Sequence, residues 1–72
     1  VNQAFNEFVS AFEAHHKARP DLRRGQAAYE TLWKWDLRLA SKVDGSEIDP
    51  YYVGERLSGF LEWVAAHLKA AS

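Results

Sequence analysis

The side chains with the most capacity for chemistry are three histidines, His15, His16 and His67, and four carboxylates in one segment, Asp44, Glu47, Asp49 and Glu55. Two histidines one helical turn apart would offer a metal ion two ligands on one face, but no His-x-x-x-His spacing occurs, and the adjacent His15 and His16 diverge by about 100° on a helix. The order Asp44-Gly-Ser-Glu-Ile-Asp lacks the ligand spacing and the closing glutamate of a calcium loop. Without cysteine there is no thiolate metal site, no thiol nucleophile and no disulfide. Serines are few, none stands in a nucleophile elbow, and 72 residues leave little room for a water-excluding cleft. The expectation is a protein with no catalytic residue, no metal and no cofactor, that is, not an enzyme. His16, near Phe5, Val9 and Phe12 on the wheel, then tops the core at a helix C-terminus, where its protonated form is favoured. His67, one turn after Trp63, stacks on it.

Charge and aromatic content set the next constraints. Formal net charge is −1, so no global field attracts nucleic acid or an anionic membrane. Apolar runs are far shorter than the roughly 20 residues of a membrane span, and the start lacks the basic-then-apolar order of a secretion signal. A cytoplasmic protein with no membrane partner is expected. Four phenylalanines, three tyrosines and three tryptophans are a heavy load for this length, each able to bury about 150–250 Å².

Two punctuated segments, ARPDLRRG at 18–25 and DGSEIDP at 44–50, divide the chain into three apolar-periodic pieces of a single domain, 1–72. The first runs from Asn2 to Ala18 with Phe5, Phe8, Val9 and Phe12 on one stripe, and Pro20 ends it by forcing Arg19 out of helical geometry. The third runs from Gly54 or Glu55 to Ala70, with Leu57, Phe60, Leu61, Val64 and Leu68 on one face and Glu55, Glu62 and Lys69 opposite. Asp49-Pro50 marks a start signal before it, opening a short turn that Gly54 redirects.

The middle piece poses a conflict. As one helix from Gln26 to Val43, it would spread its apolar side chains over roughly 200° of arc and aim Asp36 into the middle of them. An unpaired buried carboxylate is costly, so a break is expected at Asp36, which then caps a short helix over Leu37–Val43 closed by Asp44-Gly45. Such a bend turns Leu37, Leu39 and Val43 toward the core, makes Trp35 an elbow residue, and leaves Trp33 beside Tyr29 on the flank. The expected fold is all-α, a compact three-helix bundle with a break or extra short helix after Trp35.

The order RPDLRRGQA, then Leu39-Ala40, Gly45-x-x-x-Asp49-Pro50-Tyr51-Tyr52 and Phe60-Leu61-x-Trp63 resembles a family of small bacteriophage and prophage proteins. The likeness covers residues 19–64. It implies a phage or prophage origin and supplies no activity. Relatives often carry proline before the Leu-Ala pair, which agrees with a break near Asp36, and proline where this chain has Ser58, which makes the start of the last helix the point of departure.

Binding is the remaining class of function. Tyr29, Trp33, Trp63 and His67 lie outside the central stripes, and tryptophan and tyrosine dominate interface hot spots; in so small a bundle they could equally widen the core. Arg23 and Arg24 in the basic segment, or the acidic loop, would set orientation, because an up-down-up bundle puts the two segments at opposite ends. The expected function is protein binding by a phage-type accessory protein, as inhibitor or adaptor of a host or phage protein, or by self-association. The alternative is a nucleic-acid-associated regulator contacting phosphate through residues 17–24. Its arginines lack interleaved aromatics, and the last helix offers few cations for a groove.

Overall fold

The computed structural model describes residues 3–68, all of whose regular structure is helical. Helix α1 spans Gln3–Ala18, α2 Arg24–Trp35 and α3 Leu37–Val43; a 3-10 turn, Gly54–Arg56, leads into α4, Leu57–His67. The expected starting residue Asn2, and Lys69 and Ala70 of the expected last helix, lie outside the described residues.

Pairs of apolar residues one turn apart build the core. Phe8 and Phe12 on α1, Ala28 and Leu32 on α2, and Phe60 and Val64 on α4 are fully buried. The Phe8 ring sits 6.4 Å from Phe12 and 6.5 Å from Phe60, which ties α1 to α4. Each such phenylalanine contributes about 1.5–3 kcal/mol by leaving water. Buried alanines, Ala27 and Ala28 on α2 and Ala40 on α3, let the backbones approach closely.

Asp36 resolves the conflict in the middle segment by leaving the helix. Its backbone is extended, at φ −153° and ψ 93°, so one residue both ends α2 and begins α3. Its N–H closes α2 on the Leu32 carbonyl at 2.7 Å, while Oδ1 accepts from the N–H groups of Arg38 at 3.1 Å and Leu39 at 3.2 Å. The carboxylate thus satisfies two donors that any helix start leaves open. Asp36→Ala removes both bonds, and urea melts should show a loss of about 0.5–2 kcal/mol. Stabilisation by this change would contradict the capping role. At the other end of α3, Gly45 takes φ +76°, the left-handed exit expected of it.

One expectation from the bend needs correction and another holds. Leu37 does not turn inward but is 53% exposed: at the first position of α3 it lies about 60° around the helix from the buried Ala40 and about 120° from Val43, at the edge of the packed side. Trp35 is the elbow residue expected: it meets Phe8 of α1 at 5.7 Å and 84° and keeps 44% of its surface exposed.

The expected opposition of basic and acidic ends is also overturned. Helix α3 folds back beside α2, and the following loop continues to the start of α2, where Pro50 packs on Gly25, Tyr51 bonds Gln26 and Tyr52 lies under Arg23. Helix α4 then descends to put His67 and Leu68 in a groove with Ala4 and Glu7 of α1 and with Trp35, antiparallel to α1. Because the short α3 returns the chain before the long loop begins, both connections converge on one end.

Candidate functional site

The convergence assembles aromatic side chains from two separate segments into one strip. Helix α2 supplies Tyr29 and Trp33, one turn apart, and the loop after α3 lays Tyr51 and Tyr52 alongside. Tyr29 and Tyr51 meet edge to face at 5.7 Å and 88°, and Tyr51 meets Tyr52 at 4.7 Å. The Arg23 guanidinium lies 5.6 Å from the centre of the Tyr52 ring and closes the strip at one end. At the other end Tyr29, Trp33 and Tyr51 line a shallow groove together with Glu30 and Lys34. Trp33 is 54% exposed and Tyr52 76% exposed, so the strip presents large rings to solvent at both ends.

Local bonding explains why the loop sits there. Asp49, expected to act as a cap, accepts at Oδ1 from the Tyr51 N–H at 3.0 Å and at Oδ2 from the Gly45 N–H at 2.9 Å, which folds residues 45–51 into a closed turn. Pro50 is buried, and Gln26 Nε2 donates to the Tyr51 hydroxyl at 3.1 Å. Burial first, and then the nearby Asp44, Asp49 and Tyr51, push the Tyr29 phenol above its ordinary pKa. The acidic segment therefore colours the aromatic strip instead of forming a pole of its own. Asp44 is the exposed cap at the end of α3, while Glu47 and Glu55 are exposed on the loop and the 3-10 turn.

The remaining candidates go elsewhere. Trp63 is half-buried against the core and stacks on His67 at 4.2 Å, and the His67 Nδ1 lies 2.8 Å from the Trp63 carbonyl oxygen. That pair belongs to α4 and to the edge of the core; the strip on α2 does not include it. Arg24 pairs with Glu13 at 2.6 Å, and Arg19 forks onto Asp21 at 3.1 and 3.2 Å, holding the Asp21 carboxyl below its usual range chiefly through that hydrogen bond. With Arg23 over Tyr52, each arginine of the basic segment has a partner within the chain, while all three stay at the exposed surface.

The histidines diverge as their sequence spacing suggested. His15 Nε2 bonds Glu30 Oε1 at 2.9 Å, and His16 Nε2 lies 3.1 Å from the Leu22 carbonyl oxygen. Among the described residues no group of three or more metal-ligating side chains is assembled, and no helix is long and apolar enough to cross a membrane.

Tyr51 and Tyr52 are the site residues that sequence reasoning did not single out. Two adjacent tyrosines following Asp49-Pro50 in a loop between helices were the available signal, since nothing in the local pattern requires aromatic rings there. No family model, curated protein or solved structure matches the chain.

Proposed function

We propose that this protein acts by binding another protein through the strip Arg23, Tyr52, Tyr51, Tyr29 and Trp33, as a small accessory protein of the phage type that occupies a partner's surface. The observation that carries this reading is the continuous aromatic strip itself. Tyr29 packs against the core on one side, yet four large rings from two segments are laid side by side with both ends open to solvent. Rigid rings with a polar handle contribute contact area at little conformational cost, which is why they anchor interfaces. The exposed ion pairs of Arg19 with Asp21 and Arg24 with Glu13 put a carboxylate beside two of the three arginines and lower the positive field a phosphate would meet, which favours this reading over nucleic-acid binding.

The test is capture from a bacterial lysate with nuclease treatment in parallel, followed by affinity measurement for the captured protein. A Trp33→Ser, Tyr52→Ser double variant should keep its melting temperature, because both side chains are more than half exposed. It should weaken the complex by about 2 kcal/mol or more per hot spot. A complex that dissolves on nuclease treatment, or one indifferent to the double variant, would count against the proposal. Trp63→Ser is a poorer probe, since its half-buried ring also contributes to folding.

A further inference from the structure

We infer that the groove between Tyr29, Trp33 and Tyr51 receives an arginine side chain of the partner protein. This assignment rests on the protein-binding reading and names the chemistry of its partner. Tyr29 and Tyr51, nearly perpendicular at 88°, form two walls, and Trp33 forms a third. Aromatic faces carry negative potential and attract cations, more strongly where water is partly excluded. The surrounding charge has the same sign. Within the lining Glu30 and Lys34 carry opposite charges, and beyond it Asp44 and Asp49 lie close enough to Tyr29 to disfavour its phenolate, which leaves the surroundings of the rings negative.

The strip already shows this chemistry at its other end, where Arg23 stacks over Tyr52 at 5.6 Å. Arginine fits the groove better than lysine, because a planar guanidinium can lie on a ring while its N–H fork reaches a carboxylate. Glu30 is held for such a contact. Its Oε1 bonds His15 at 2.9 Å and its Oε2 accepts from Gln26 at 3.4 Å, and each oxygen keeps further acceptor capacity.

The experiment titrates the full chain with a short Gly/Ser peptide carrying two spaced arginines, and with the same peptide carrying citrulline, which keeps the shape and loses the charge. Titration calorimetry reads binding in the parent and in each variant, and the indole N–H resonance of Trp33 reports occupancy of the groove in the parent. Arginine peptide should bind at least about tenfold more tightly than citrulline peptide, and Trp33→Ser should abolish the difference. Lys34→Ala should tighten the arginine complex by removing a like charge. Equal affinity for the two peptides, arginine binding that survives Trp33→Ser, or weaker binding in Lys34→Ala would each overturn the assignment. If the arginine peptide fails while Trp33→Ser still releases the captured protein, protein binding stands and the arginine assignment falls. If Trp33→Ser affects neither, both fall.

Discussion

Replacing Gly25 by alanine lowers the melting temperature of this protein, although alanine in place of a helical glycine ordinarily stabilises by about 0.5–1 kcal/mol. Gly25 lies in the first turn of α2 with its Cα turned to the loop, and an added Cβ would overlap the Pro50 carbonyl oxygen and stand 3.1 Å from the Pro50 carbonyl carbon and Cβ. That obstacle is backbone, and the loop carrying it is fastened by both oxygens of Asp49. Relief requires the loop to lift from α2, which strains the Gln26 to Tyr51 hydrogen bond and the contact between the Tyr29 and Tyr51 rings. Overpacking of this kind costs about 1–3 kcal/mol, and each kcal/mol lowers the Tm of a domain of this size by roughly 4–8 °C. Gly54→Ala is the matched control, because nothing stands within 4 Å of its added Cβ. Partner binding should fall in Gly25→Ala and persist in Gly54→Ala, since only the first displaces Tyr51 and Tyr52. An unchanged or raised Tm for Gly25→Ala would refute the close packing of loop on helix.

Phe60→Ala should leave most of the protein unfolded. The ring is fully buried, meets Phe8 at 6.5 Å and joins α4 to α1. Truncating a buried phenylalanine costs about 3–5 kcal/mol, made up of lost transfer energy and the cavity left behind. A single core in a chain this short supplies only about 3–5 kcal/mol in total, and no disulfide adds to it. Leu32→Ala, at an equally buried position on α2, should cost about 2–5 kcal/mol. Far-ultraviolet circular dichroism against temperature checks both. A variant melting within a degree or two of the parent would mean that the helices do not pack in this register.

The helical pieces were legible because their signals are local. Pro20 stops α1 wherever α1 packs, and the pairs Phe8 with Phe12 and Phe60 with Val64 declare their buried faces by spacing alone. Asp36 was legible for a related reason: its carboxylate could not be buried on a continuous helix at tolerable cost, and the cap it forms involves only its next two or three neighbours. Half of the aromatic strip was legible in the same way, since Tyr29 and Trp33 share a face of one helix. Trp63 and His67 stack as their one-turn spacing on a separate helix suggests, while a helical wheel shows direction around one axis and says nothing about which neighbour fills the space beyond the rings.

The amino-acid sequence by itself determined the all-α class, the break at Asp36, the turn at Gly45 and the identity of the largest core side chains, each through bonds or steric limits within a few residues. Only the tertiary structure decided that the acidic loop returns to the start of α2, that Tyr51 and Tyr52 join Tyr29 and Trp33, and that Gly25 is required for contact with Pro50. These depend on how far the seven residues of α3 carry the chain back along α2, a distance set by packing of Ala40 and Val43 against the core. No spacing within either segment encodes the meeting of residues 23–33 with residues 49–52; it arises when both segments fill the same end of one small core.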